Sequence, residues 1–181
     1  MRKKQSAFTL VELIVTMAVL AVLAAIAVPS FTTMIANNRS SSLGREFAAA
    51  INLVRAEAIK RGGRVSICVS SNGSSCAAAS TNWNAGWLIF VDGATSDTAA
   101  PSVGTLIQYH QGDSRSSITV VKGATAQAYF RFTGQGILAR AVSDTTPITI
   151  NAQYTGCNGT NAQQIEVGLA GRVSQSKTNC S

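Results

Sequence analysis

The sequence predicts an α+β fold, in which one long N-terminal α-helix packs on a β-rich C-terminal head of about seven or eight short strands. Three observations support this fold class. No charged side chain occurs from Leu13 to Asn38, apolar residues recur at helical spacing from Leu43 to Ala58, and short strand-like runs separated by turn residues follow Gly63. The 181 residues provide about one domain plus an appendage.

The N-terminal segment combines a basic start with a long uncharged run. Arg2, Lys3 and Lys4 supply three of the 15 basic residues, so that without them 12 basic and 8 acidic residues leave a charge of +4 instead of +7. The apolar run exceeds the roughly 7–15 residues of a secretory signal and is long enough to span a bilayer. Basic residues before the span predict a cytoplasmic N-terminus and a head outside the cytoplasm.

Glu12 is the exception in this apolar run. A carboxylate near the start of a membrane helix is costly and usually has a partner. The alternative is that Glu12 lies at the level of the lipid headgroups, solvated and without a function.

The string Ala7-Phe8-Thr9-Leu10-Val11-Glu12 resembles the class III signal of type IV pilins and pseudopilins. The resemblance implies that a prepilin peptidase cuts between Ala7 and Phe8 and methylates the new amino group of Phe8. The family usually has Gly before the cut, whereas this chain has Ala7, the next smallest side chain. Glu12 is the fifth residue and Pro29 the twenty-second when Phe8 is counted first, as in the family.

This resemblance implies assembly roles for Glu12 and Pro29. Cleavage would create a cationic amine on Phe8, which Glu12 of a neighbouring subunit can pair with in a filament. Such a pair inside an apolar bundle fixes register more than it adds stability. Pro29 removes one helical hydrogen bond, so we expect a kink or a locally melted turn at that position.

The second half of the helix is predicted from an amphipathic pattern. Leu43, Phe47, Ile51, Val54 and Ala58 lie on one helix face, and Gly62-Gly63 after Lys60 and Arg61 marks the end. One helix from Phe8 to about Arg61 would extend roughly 80 Å. Its second half should pack on the sheet of the head, although a short coiled-coil pairing is the competing interpretation.

The chain therefore divides into three predicted parts. Residues 1–7 are a leader peptide, residues 8–36 a transmembrane or filament-core helix, and residues 37–181 a periplasmic head that includes the second half of the helix. Strands are predicted at residues 64–69, 86–92, 105–110, 117–121, 128–132, 147–151, 164–167 and 172–174.

Motifs in the head narrow the family. The string Gly86-Trp-Leu-Ile-Phe-Val-Asp92 resembles a strand of the FimT/FimU/GspH group of minor pilins and pseudopilins, and the segments at Arg55-Ala-Glu57 and Gly171-Arg172 also match that group. The cysteines Cys157 and Cys180, which bracket the C-terminal region, look most like the FimU type.

Four cysteines in an exported head predict two disulfides. Their positions favour Cys68–Cys76 and Cys157–Cys180, although three connectivities are possible.

No catalytic, cofactor or metal motif is visible, which predicts that the chain is not an enzyme. His110 is predicted to be a surface residue near a strand end, and the carboxylates of Asp92, Asp97, Asp113, Asp144 and Glu166 show no paired spacing. Trp87 is expected in the core, whereas Trp83 lies in a polar run that is compatible with exposure.

The resemblance implies a minor pilin of a type IV pilus, placed at or near the filament tip and helping to initiate assembly for twitching motility, adhesion or other surface functions. The implied partners are other minor pilins, the major pilin, the prepilin peptidase, and an inner-membrane assembly platform with a motor ATPase. The implied location is the bacterial inner membrane, with a single span, and then the filament at the cell surface.

Two alternatives remain open at this point. One is a GspH-type pseudopilin of type II secretion. The other is a DNA-binding tip pilin for natural transformation, with Arg172 and Lys177 as DNA contacts. Because Ser174 stands where that branch has a second arginine, nucleic-acid binding is not favoured.

Overall fold

The computed structural model describes residues 8–77 and 79–181, and for Pro29 only the backbone. One helix, α1, runs from Leu10 to Arg61. Thr9 is its N-cap, with an extended backbone and a side chain that accepts from the Glu12 amide, so the helix begins two residues after the predicted Phe8. Gly62 ends it in the left-handed conformation at φ 59°, as the glycine stop predicts.

The head of the described chain contains nine strands, one more than the upper expectation. They are β1 (Val65–Val69), β2 (Gly86–Asp92), β3 (Val103–Gln111), β4 (Ser116–Lys122), β5 (Thr125–Ala126), β6 (Tyr129–Phe132), β7 (Ile148–Tyr154), β8 (Ala162–Val167) and β9 (Val173–Thr178). All eight predicted strands are present; β2 has the predicted ends, and the other seven begin or end at different residues. The additional strand, β5, is a two-residue pairing across the Lys122–Thr125 turn.

The strands form two antiparallel sheets. Sheet A has the order β3-β2-β1-β6, and sheet B has the order β5-β4-β7-β8-β9. Helix α1 contacts strands of both sheets, and a single hydrophobic cluster joins residues of the helix with residues of each sheet. The second half of α1 is therefore the element on which both sheets pack, which confirms the α+β prediction.

The predicted helix face is the face that lies in this core. Leu43, Phe47, Ile51, Val54 and Ala58 are all buried, and the last four have no exposed surface. Phe47 makes edge-to-face contacts with Trp83 and Trp87 at centroid distances of 5.5 and 5.0 Å.

Candidate functional site

The first half of α1 presents its apolar side chains outward. Leu10, Leu20, Ile26 and Val28 are 61–74% exposed, and the helix is long and apolar enough to cross a membrane by length and composition. A soluble helix would bury such a surface against its own domain. No part of the described head covers it.

The N-terminal end of this helix carries a capping box. The Glu12 amide donates to Thr9 Oγ1 at 3.2 Å, while the Thr9 amide and hydroxyl donate to the Glu12 carboxylate at 3.4 Å. Glu12 thus has a local role that the sequence analysis missed, although the Thr-x-x-Glu spacing carries its signal. The predicted cleavage lies between Ala7, which falls outside the described residues, and Phe8, which is exposed.

The backbone of α1 continues through Pro29 without a break. The isolated chain thus has no locally melted turn at this proline, while a kink there stays a prediction. A proline removes only one helical hydrogen bond, and the turns on either side keep theirs.

The exposed and packed halves of α1 meet at a neck around residues 36–40. Ser40 Oγ donates to the Ala36 carbonyl at 2.9 Å and accepts from the Tyr154 amide at 2.9 Å. The Asn158 amide donates to Asn37 Oδ1 at 2.9 Å. These bonds fix the base of the head to the helix one turn after its exposed half ends.

The segments at Arg55 and Gly171, which resemble the FimT/FimU/GspH group, lie together at the far end of the helix. Arg55 Nε donates to the Gly136 carbonyl at 3.0 Å, and its Nη2 donates to the Ala170 carbonyl at 3.3 Å. Gly171 has φ 76°, and a Cβ there would lie 2.0 Å from the Gly136 oxygen. Gly171 is therefore required for the close approach of two loops, independently of any ligand.

The final residue of the Gly86–Asp92 motif, Asp92, closes a buried ion pair that the sequence analysis missed. Arg131 Nη2 lies 2.7 Å from Asp92 Oδ2, and both side chains are almost fully buried. Ser66 and the amides of Ala94 and Ser102 also donate to this carboxylate. Although burial raises the pKa of Asp92, these hydrogen bonds and Arg131 hold it below its usual value.

The two possible DNA contacts do not converge. Arg172 precedes β9 and Lys177 lies near its other end, so they are about 17 Å apart along the strand. Because their positions differ by five, an odd number, the strand alternation directs them to opposite faces. Both are exposed, and neither side chain has a hydrogen-bond or ion-pair partner among the described residues.

The aromatic and histidine predictions have mixed outcomes. Trp87 is in the core, as expected. Trp83 is fully buried in a 3₁₀ turn and donates from Nε1 to the Gln127 carbonyl at 2.7 Å, so the exposure that its polar run allowed is not found. His110 lies near the end of β3 but is only partly exposed, because it stacks on Trp87 at 3.8 Å and contacts Glu46.

Most of the scattered carboxylates act as structural partners in the head. Asp97 accepts from Arg64, Asp144 pairs with Lys122, and Asp113 accepts from Tyr154. Within the described residues, no group of His, Cys, Asp or Glu side chains could hold a metal ion. Glu166 is exposed on β8.

The four cysteines are joined as Cys68–Cys76 and Cys157–Cys180, the pairing favoured by their positions. The first bond ties β1 to the loop that follows it. The second ties the loop after β7 to the chain end beyond β9.

Comparisons with known proteins match this architecture. A family model described as Type II transport protein GspH matches residues 43–171, and one described as Prokaryotic N-terminal methylation motif matches residues 2–28. No curated protein matches the chain.

Solved structures with a similar fold include the type IV minor pilin FimU of Pseudomonas aeruginosa strain PAO1. In one crystal form it is 20% identical over 77% of this chain and 89% of that chain, with a TM-score of 0.55. In a second crystal form the TM-score is 0.52 over 75% of this chain and 90% of that chain, again at 20% identity. The minor pseudopilin EpsH from the type 2 secretion system of Vibrio cholerae is 12% identical over 74% of this chain and 93% of that chain, with a TM-score of 0.48.

Proposed function

Because this chain belongs to the GspH family, we propose that it is a minor pilin of a type IV pilus, incorporated at or near the filament tip and helping to initiate assembly. The observation that carries the proposal is the division of α1. One continuous helix buries its second half in the head and leaves the large apolar side chains between Leu10 and Ile35 without a covering element in the described chain.

The exposed half fits two successive environments. In the inner membrane, lipid chains would cover its apolar side chains, with the N-terminus in the cytoplasm and the head in the periplasm. In a filament, helices of the major pilin and other minor pilins would replace the lipid. Two disulfides in the head fit the oxidising side of that membrane.

Processing would prepare the chain for this exchange of partners. The methylation-motif match over residues 2–28 supports a prepilin peptidase as the processing enzyme, cutting before Phe8. The new amine would then be available to Glu12 of a neighbouring subunit, and an inner-membrane platform would draw the helix out of the bilayer. In the single chain Glu12 holds only its own N-cap through 3.4 Å contacts, so a stronger cationic partner could replace them.

A pseudopilin of type II secretion is the second candidate, favoured by the family model that matches the head. A pseudopilin would have the same fold and the same membrane stage, but it would function in the type II secretion system instead of a pilus. The DNA-receptor alternative gains no support, because Arg172 and Lys177 lie at opposite ends of β9. A gel-shift with the detergent-solubilised chain should accordingly show weak binding that Arg172→Ala leaves unchanged.

Deletion of the gene in its host tests the two candidates together. The minor-pilin proposal expects far fewer pili at normal levels of major pilin, restored by the intact gene, and antibody label at filament ends. Normal piliation with lost protein secretion would replace it with the pseudopilin function. If neither piliation nor secretion changes, both candidates are wrong.

A further inference from the structure

A cleft of about 450 Å³ opens at the neck, between the last exposed turns of α1 and the base of the head. Its helix side includes Ile35, Ala36 and Arg39, and its head side includes Arg115 and Tyr154. We call this feature the neck cleft.

Tyr154 holds both arginines of the neck cleft in place. The guanidinium carbons of Arg39 and Arg115 lie 5.1 and 5.3 Å from the centroid of its ring. Arg39 Nη1 donates to Tyr154 Oη at 2.8 Å, and Tyr154 Oη donates to Asp113 Oδ2 at 2.7 Å. The guanidinium of Arg115 has no hydrogen-bond or ion-pair partner among the described residues. The two guanidiniums therefore keep most of their donors free.

The neck cleft carries a positive charge that its own lining does not neutralise. No acidic side chain lines it. Asp113 and Glu46 line the adjoining cleft, which shares Arg39 and Tyr154 with the neck cleft. An anion in the neck cleft would face the guanidiniums of Arg39 and Arg115. Asp113, in the adjoining cleft, interacts electrostatically with both and offsets part of their charge.

The position of Arg39 along α1 matches the outer surface of a bilayer. Arg39 is the first charged residue after Glu12, and the 27 helical steps from one Cα to the other span about 40 Å. A bilayer with its headgroup layers is about 40–45 Å thick. If Glu12 lies at the cytoplasmic headgroups, Arg39 lies at the phosphates of the periplasmic leaflet.

We propose that the neck cleft binds the phosphate of an anionic phospholipid from the periplasmic leaflet while the chain is in the membrane. Arg39 and Arg115 would contact the phosphate oxygens, since guanidinium geometry suits a phosphate group. Ile35, half exposed just below Arg39, would lie against the start of an acyl chain. This inference rests on the membrane stage of the proposed function and adds a lipid partner to it.

The test uses the full chain reconstituted in phosphatidylcholine vesicles that contain a trace of spin-labelled phosphatidylglycerol or spin-labelled phosphatidylcholine. The motionally restricted fraction of each label gives the relative affinity. Each arginine should raise the preference for phosphatidylglycerol about five-fold. The double variant Arg39→Gln/Arg115→Gln should bring it close to parity.

Two further variants distinguish lipid binding at the neck cleft from a general effect of the net positive charge. Lys60→Gln/Arg172→Gln removes the same charge from exposed positions at or beyond the far end of α1, and should leave the preference unchanged. Asp113→Asn should raise the preference, because it removes the neighbouring negative charge. A gain of this kind has no explanation in misfolding.

Several results would overturn the lipid site. These are equal affinity for both lipids in the wild type, an unchanged preference in the arginine double variant, or an equal drop in the control variant. Displacement of the lipid by inorganic phosphate beyond the effect of sodium chloride at equal ionic strength would assign the cleft to a soluble anion instead. Release of the chain from vesicles by sodium carbonate would refute the membrane stage as well, whereas an integral chain without lipid preference refutes the lipid site alone.

Discussion

The two halves of α1 share one backbone conformation but differ in what buries their side chains. Large apolar residues between Leu10 and Ile35 are about half to three-quarters exposed, whereas Phe47, Ile51 and Val54 are completely buried. Helical hydrogen bonds are local, and one unbroken helix runs through both halves. Burial depends on the partner, and the difference between the halves supports the proposal that the first half acquires its partner outside the chain.

The largest expected difference is between the effects of alanine substitution at Phe47 and at Leu20 on the free energy of unfolding. Phe47→Ala should lower the free energy of unfolding of the head by about 3–5 kcal/mol, because it leaves a cavity between two tryptophans. Leu20→Ala, at a position that is 65% exposed, should change it by less than about 0.5 kcal/mol. Denaturant unfolding of the detergent-solubilised chain, followed by tryptophan fluorescence, measures both.

Equal effects of these two substitutions would contradict the division of the helix. A large loss from Leu20→Ala would mean that the first half contributes to the stability of the head.

A smaller effect is expected at Gly44, where substitution by alanine should lower the stability instead of raising it. Glycine to alanine inside a helix normally stabilises by about 1 kcal/mol. At Gly44 the new Cβ would lie 2.4 Å from the side chain of the buried Gln163, so we expect a net loss of about 1–3 kcal/mol.

The matched control for Gly44 is the exposed helix residue Asn38. Asn38→Ala should stabilise the chain by a few tenths of a kcal/mol, since only helix propensity changes there. If Gly44→Ala also stabilises the head, then the helix and sheet B are less closely packed than the structure has them.

The smallest effect concerns the dependence of stability on pH at the neck. The hydrogen bond from Tyr154, followed by the Arg115 amide, holds the pKa of Asp113 below its usual value. Its charged form therefore stabilises the fold above the unfolded pKa of about 3.9, and this contribution is lost as the pH falls through the folded pKa.

Tyr154→Phe removes the main donor to Asp113 and so weakens this acid dependence. The difference in unfolding free energy between the wild type and Tyr154→Phe should shrink as the pH falls below about 4. A difference that stays constant from neutral to acidic pH would show that Asp113 is not stabilised by Tyr154.

Features set by local pattern were predictable from the sequence. The helix face from Leu43 to Ala58, the Gly62 stop and strand β2 all follow from periodicity, capping chemistry or a short apolar run. Glu12, Pro29 and the methylation motif were recognisable for the same reason, because their spacing along the chain carries the signal.

Features set by contacts between distant segments were not predictable. Trp83 lies in a polar run, and only its contacts with Phe47 and Gln127 bury it. Arg131 stands in an apolar strand, which hinted at a buried partner, but nothing local pointed to Asp92. The neck cleft combines residues 76 positions apart, Arg39 and Arg115, that only the fold brings together.

We propose that the first half of α1 finds its partner in neighbouring subunits through the charge of Glu12. The most direct measurement is the amount of the chain in sheared filaments for Glu12→Gln and Thr9→Val, with membrane levels as the reference. Gln is also accepted at the third position of a capping box, so Glu12→Gln removes the charge and keeps the cap, whereas Thr9→Val does the reverse. We expect Glu12→Gln to be processed but absent from filaments, because the amine of its neighbour would be left uncompensated at a cost of several kcal/mol, and Thr9→Val to be incorporated. Incorporation of Glu12→Gln at the wild-type level would contradict the proposed pairing of Glu12 with a neighbouring subunit.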